Sequence, residues 1–248
     1  MIPLMKHAFT NEQQTKKLLA EFITSAEKLS MGDQCFRFEK AFAQKQETKD
    51  AILFNSGGSA NLALLQSLKN LNFLKNNSKV GFSSLTWSTN VMPIIQLGMI
   101  PIAIDCKPST LNTMSENILN ALELHDLDAI FITNVLGFAG DLNKIREICE
   151  DKKILLIEDN CEALGTKLPN ERTGNFGLGS TFSFFVAHHM STIEGGMVCT
   201  KNEELSQMLR MVRSNGWDRN LPPSGQEKLR NKFNVVSEFE AKYTFYDL

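Results

Sequence analysis

Several short segments carry residue types suited to binding or chemistry. Asn55-Ser56-Gly57-Gly58-Ser59-Ala60-Asn61 follows an apolar run and precedes a helical pattern. Glycines let a backbone approach an anion, and a helix N-terminus offers free N–H groups and a positive dipole end, so the segment suits a phosphate. It matches neither the P-loop nor GxGxxG, and a plain tight turn fits it equally well. Ile157-Glu158-Asp159-Asn160-Cys161-Glu162 places three acids after another apolar run, which invites a cation or a protonated ring nitrogen. A Mg²⁺ site would also fit, and solvated acids at a loop mouth are the bland alternative. Phe182-Ser183-Phe184-Phe185-Val186-Ala187-His188-His189 precedes Glu194-Gly195-Gly196. Adjacent histidines point in different directions, so spacing alone does not suggest a shared metal, and a histidine is more often a structural hydrogen-bonder than a catalyst. Trp87, in Leu85-Thr86-Trp87-Ser88-Thr89, is either core or, in a mouth loop, a platform for a planar ligand. Together these point to a planar, phosphate-bearing ligand with a cationic ring.

The elements that must position these residues read as an α/β pattern. Apolar runs at Ala51 to Phe54, Val80 to Phe82, Ile100 to Ile104, Ala129 to Thr133 and Ile154 to Ile157 are too short for helices. They are apolar on consecutive positions, as strands covered on both faces are. Helical patterns lie between them at Ala60 to Leu71, Ser115 to Leu124 and Leu142 to Glu150. This alternation predicts a mainly parallel sheet flanked by helices, whose ligands bind beyond the carboxyl ends of the strands. Upstream, Thr10 to Leu29 reads as an amphipathic helix capped by Thr10 with Gln13, its apolar face being Leu18, Leu19, Phe22 and Ile23. Phe36 to Ala43 reads as a second helix. Downstream, Thr181 to Val186 and Met197 to Thr200 read as strands, Glu203 to Arg213 as a helix, and Asn215 to Asn231 as a loop.

Composition narrows the class. The 248 residues allow one large α/β domain or two small ones, since about 150 per domain is a loose guide. A 42% hydrophobic content supports a real core. Twenty-six basic and 28 acidic residues leave a net charge of -2, which gives no electrostatic case for nucleic acid or an anionic membrane. No apolar run approaches the roughly 18 residues of a membrane span. The N-terminus lacks a signal-peptide pattern, and the reading is a soluble, cytoplasmic protein. The five cysteines show no CxxC spacing, so neither a disulfide framework nor a zinc ribbon is expected. Tyr246-Asp247-Leu248 brings no finishing element and reads as a chain cut short.

Further pieces join the list: Met31-Gly32, Phe38-Glu39, Phe42-Ala43, Leu97-Gly98 with Pro101 and Asp105, Gly165, Gly174 and Gly177. Taken in order, the set resembles the large domain of the sugar aminotransferase family (DegT/DnrJ/StrS type), fold type I enzymes dependent on pyridoxal 5′-phosphate. The likeness covers roughly residues 30 to 220. It implies a cofactor-binding large domain over residues 1–220, with 221–248 as a loop leading to a small C-terminal domain that is missing here. In that family a lysine stands six residues before the acid of the Glu-Gly-Gly segment; here that position is His188, and Lys167 and Lys201 lie outside. Histidine in this place resembles the branch of 4-keto-6-deoxy sugar 3-dehydratases. The region of Trp217, Arg219, Asn220, Leu221 and Pro222 has no cysteine cluster, which makes the GDP-sugar, colitose-type members the nearest in likeness.

The resemblance implies roles. Pyridoxamine 5′-phosphate would be held noncovalently, with His188 as the catalytic acid and base. Asp159 would pair with the ring nitrogen, Trp87 would stack on the ring, and Glu162 would be a nearby hydrogen-bonding partner. Gly57, Gly58 and Ser183 would hold the phosphate. No metal is expected. The implied substrate is a nucleotide-linked 4-keto-6-deoxyhexose, with L-glutamate renewing the cofactor, in a homodimer serving dideoxysugar and lipopolysaccharide O-antigen synthesis. Asn215 departs from a histidine common in related enzymes. An ordinary nucleotide-sugar aminotransferase and an inactive, binding-only fragment are the alternatives.

Overall fold

The computed structural model describes residues 8–235. Its strands are β1 (Asp50–Phe54), β2 (Lys79–Ser83), β3 (Ile100–Ile104), β4 (Ala129–Thr133), β5 (Leu155–Asp159), β6 (Gly179–Ser183) and β7 (Gly196–Thr200). They form one seven-stranded sheet in the order β1-β7-β6-β5-β4-β2-β3. β7 pairs antiparallel with β1 and β6, and the remaining pairs are parallel. The expected mainly parallel sheet is therefore present. Its one reversal has a simple origin: loop 184–195 carries no helix back across the sheet, so β7 must return in the opposite direction.

Successive side chains of a strand point to opposite faces, and the core divides accordingly. Ala129 and Phe131 join one cluster with α3 (Gly57–Asn70) and α7 (Glu203–Val212), through Leu64, Leu68, Leu205 and Leu209. Ile130 and Ile132 join the other cluster, with Ile118 of α5 (Ser115–Leu124) and Leu142 and Ile145 of α6 (Leu142–Lys152). α4 (Ser88–Gln96) adds Ile94 to the first face. On the second face, α2 (Asp33–Gln46) packs Phe42 against Phe182 and Phe184, with ring centroids 5.1 and 5.3 Å apart. Glu39 of α2 is buried. It accepts from Leu53 N–H at 2.9 Å, from Arg213 and from Arg210, so the Phe38-Glu39 motif fastens α2 to β1 and α7.

Two helical expectations need correction. α1 runs from Glu12 to Ser25, so Leu29 lies beyond it. Asn11, not Thr10, is its N-cap residue and makes no side-chain cap hydrogen bond. No residue of α1 is buried, and Leu18, Leu19 and Ile23 are exposed. The stretch Asn215 to Asn231, expected as a loop, contains a 3-10 turn and α8 (Pro223–Lys232). Pro223 sits in the first turn, where a missing N–H does no harm, and Gln, Glu, Lys, Leu and Arg beyond it favour helix. Leu229 of α8 packs with Leu221, Met208 and Met211, while Arg230 bonds Asp218 at 2.8 Å. The connection expected over residues 221–248 lies outside the described residues from 236 onward.

Candidate active site

The sequence-predicted site residues converge at the carboxyl end of the parallel strands. The β1–α3 junction supplies the first group. Ser56 is the N-cap of α3, its hydroxyl accepting from Ser59 N–H at 3.1 Å. Gly57 and Gly58 open the first helical turn, where N–H groups lack intrahelical partners. Gly57 is glycine because there is no room for more: a Cβ there would stand 2.7 Å from Ser183 Cβ and 3.2 Å from Cys161 Sγ. The turn thus touches the end of β6 and the loop after β5 together. Gly196 explains part of the Glu-Gly-Gly segment in the same way, since its Cβ would lie 2.0 Å from the Ser56 carbonyl oxygen. Ser183 Oγ accepts from Phe185 N–H at 3.2 Å and keeps its own proton available as a donor.

Trp87 is the N-cap residue of α4 and is 73% exposed, so its ring is on offer rather than in the core. Below it Thr86 and Thr133 share a hydroxyl hydrogen bond of 2.6 Å, tying the ends of β2 and β4.

The three acids diverge. Glu158 turns away from the mouth and is fully buried. Its oxygens accept from the N–H groups of Gly174 and Phe176, both at 2.8 Å, from Gly177 at 3.1 Å and from the Asn134 amide at 3.2 Å. Burial raises its carboxyl above the ordinary range and these donors oppose the rise. Glu158 therefore organises loop 174–177 and does not share a ligand with Asp159. Asp159 is 4% exposed. Its Oδ2 accepts from Asn90 at 2.7 Å and Asn61 at 3.2 Å, and its Oδ1 accepts from Cys161 N–H at 2.8 Å. Glu162 accepts from Leu136 N–H at 2.8 Å. The Mg²⁺ reading of this run is corrected: among the described residues no group of three His, Cys, Asp or Glu is placed to hold a metal ion. Each carboxylate has instead found its own protein donors. Cys161 is a neutral thiol, since burial, and then the Asp159 charge, push it well above its ordinary value.

His188 and His189 sit in loop 184–195. The strand expected to reach Val186 ends at Ser183, but its pairing continues through Phe184 N–H to Gly195 at 2.8 Å and Val186 N–H to Ile193 at 3.1 Å. His188 is half-buried and His189 exposed. Partial burial pushes the His188 imidazole below its ordinary value, the carboxylates of Glu162 and Asp159 pull it up, and His189 adds to the lowering. His188 is thus in electrostatic reach of the site's acids. The arrangement brings a glycine-led helix N-terminus, an exposed aromatic face, a buried carboxylate and a half-buried imidazole to one sheet end. Sequence reasoning placed Asn61 in the glycine segment without a role and missed Asn90; both turn out to donate to Asp159.

Residues 10–237 match the model of the DegT/DnrJ/EryC1/StrS aminotransferase family. The chain belongs to that family. It is 36% identical over 203 residues to a GDP-4-keto-6-deoxy-D-mannose 3-dehydratase of Yersinia pseudotuberculosis, covering 81% of this chain and 51% of the relative. Among solved structures, a GDP-4-keto-6-deoxymannose-3-dehydratase mutant with bound GDP-perosamine matches with a TM-score of 0.86 and 30% identity, over 100% of this chain and 63% of that one. A structure of the same enzyme with a trapped PLP-glutamate geminal diamine matches with a TM-score of 0.80 and 31% identity, over 90% and 57%. The chain spans about half the length of the curated family members it matches. Within the family fold, the sheet and its flanking helices are the shared part. No helix among the described residues is long and apolar enough to cross a membrane.

Proposed function

We propose that this chain is a cytoplasmic, pyridoxamine 5′-phosphate-dependent 3-dehydratase of a nucleotide-linked 4-keto-6-deoxyhexose, with L-glutamate renewing the cofactor. The observation that carries the reading is His188: an imidazole stands where the family resemblance puts an anchoring lysine, and it is half-buried and within electrostatic reach of Glu162 and Asp159. The residues fit the cofactor. The Gly57–Gly58 turn leaves N–H groups and no Cβ against Ser183, and the Asp159 carboxylate is buried but not fully committed to its protein donors.

When bound, pyridoxamine phosphate supplies an amine for the C4 ketone and a ring that accepts electrons. The chain's own residues do the rest. Gly57 and Gly58 bind the phosphate through N–H groups of the first turn of α3, and Ser183 adds a hydroxyl. Trp87 covers the ring face. Asp159 holds the proton on the ring nitrogen. His188 moves protons, first taking one from the cofactor's C4′ carbon and then giving one to the departing C3 hydroxyl. A lowered imidazole pKa keeps it unprotonated near neutrality, as the first step requires. Glu162 favours the protonated form that the second step needs. Imidazole forms no stable imine with the cofactor aldehyde, so binding stays noncovalent. The exposed apolar side chains at the same sheet end, Leu85, Trp87, Leu136, Phe138, Phe185 and Ile193, support assembly as a homodimer with the site near its interface.

Substitution separates the two histidines. His188→Lys is expected to capture pyridoxal phosphate in a covalent adduct that borohydride fixes and peptide mapping locates, with dehydration lost. His189→Lys is expected to capture none. Capture at position 189 alone would assign the wrong histidine, and capture at neither would remove the cofactor from this site.

A further inference from the structure

Two side-chain amides reach Asp159 from different helices. Asn90 Nδ2 donates to Asp159 Oδ2 at 2.7 Å, and Asn61 Nδ2 donates to the same oxygen at 3.2 Å. The Cys161 N–H takes one position on Oδ1, at 2.8 Å. An ionised carboxylate offers about four acceptor positions, whereas a protonated one must turn an O–H toward an acceptor. Three N–H donors around Asp159 therefore suit the charged form and leave one lone pair of Oδ1 uncommitted. The second N–H of Asn61 goes to the Thr89 carbonyl at 3.1 Å, which fixes its amide orientation and ties α3 to α4.

Packing alone does not account for these amides. Both asparagines are fully buried, and the Oδ1 atom of each has no hydrogen-bond partner among the described residues. An unpartnered buried acceptor destabilises a fold, and an apolar side chain of similar size would avoid it. What an amide adds at these positions is its N–H donors. Their placement matters too: Asn61 lies one turn into α3 from Gly57, and Asn90 lies just inside α4 from Trp87.

We infer that Asn61 and Asn90 are positioning residues that hold the Asp159 carboxylate aimed at a protonated ring nitrogen. Through them the ring-nitrogen contact is joined rigidly to the phosphate cradle and the stacking face, because the same two helices begin at those points. The inference rests on the cofactor reading and adds to it a mechanism for keeping the ring protonated.

The test uses the full chain, pyridoxamine phosphate labelled at its ring nitrogen, and Asn90→Leu, Asn90→Ala and Asn61→Leu, with and without Asp159→Asn. At mildly alkaline pH the bound ring nitrogen should give the protonated signal in the wild-type chain and move toward the unprotonated one in the variants. Affinity should fall about tenfold, the equivalent of roughly one pKa unit. In the Asp159→Asn background the same substitutions should change affinity little, because they act through that carboxylate. If Asn90→Leu does not fold, Asn90→Ala gives the same readout, since it removes the N–H donor to Asp159 without adding a charge. Folded variants with the wild-type nitrogen signal, or equal losses in both backgrounds, overturn the inference. A wild-type chain that binds no pyridoxamine phosphate overturns the cofactor assignment and the inference with it.

Discussion

His188 is balanced between opposing influences, and that balance sets its useful pH range. Partial burial disfavours imidazolium, while the Glu162 and Asp159 carboxylates favour it. Burial is the larger influence, so the neutral base persists to a pH below the ordinary histidine value of about 6.5. Removing the Glu162 charge removes one stabiliser of imidazolium, so in Glu162→Gln the His188 titration moves to still lower pH. Nuclear magnetic resonance titration of the ring C–H signals checks this; an unchanged or raised midpoint contradicts it. Much at this scale was legible in the sequence. The glycine pair, Trp87, the acidic run and the histidine pair stand out by residue type, whereas the choice of Asp159, Glu162, Ser183 and His188 within them came from the family resemblance. Asn61 stands in the glycine segment with its role unread, and Asn90 was not singled out, because their effect lies in whom they bond across the fold. Glu158 looked like part of an acidic site until its partners in loop 174–177 could be seen.

At the level of elements, the decisive contact is the α3 N-terminus against the end of β6. In Gly57→Ala the new methyl would meet Ser183 Cβ at 2.7 Å and Cys161 Sγ at 3.2 Å. Alanine gains about 1 kcal/mol of helix propensity over glycine. Overpacking of this kind costs about 1–3 kcal/mol, so after that gain global stability should fall by about 0–2 kcal/mol. The relief must come from α3 retreating from Ser183, which spoils the cradle. Affinity for pyridoxamine phosphate is expected to fall about tenfold, near 1.4 kcal/mol, by fluorescence titration. Wild-type affinity in this variant would contradict the cradle assignment. The inner strands were readable because strands buried on both faces are continuous apolar runs; β3, expected to be covered likewise, is an edge strand with Ile100 39% exposed. α4 gives no such signal, since Pro93 lies inside it, and α8 is obscured by its prolines and charges. Both form because neighbours hold them: Ile94 packs in the core under α3, and Leu229 packs on α7.

For the whole molecule, the proposed homodimer assigns the apolar side chains exposed at the carboxyl end of the sheet to its interface. Leu136, Phe138 and Ile193 are each more than half exposed beside the residues of the site. Sedimentation velocity at micromolar concentration is expected to show a dimer, and Phe138→Glu with Leu136→Glu should shift it to monomer. A wild-type monomer that still turns over would contradict a site completed at an interface. The central claim is that histidine at position 188 makes this family member remove the C3 oxygen instead of transferring an amine. Its most direct test is product analysis after incubating the chain with pyridoxamine phosphate, L-glutamate and GDP-4-keto-6-deoxymannose. The account predicts a nucleotide sugar that has lost its C3 oxygen, formed together with ammonia. A nucleotide amino sugar that keeps that oxygen, or no product from a chain that holds the cofactor, would contradict it.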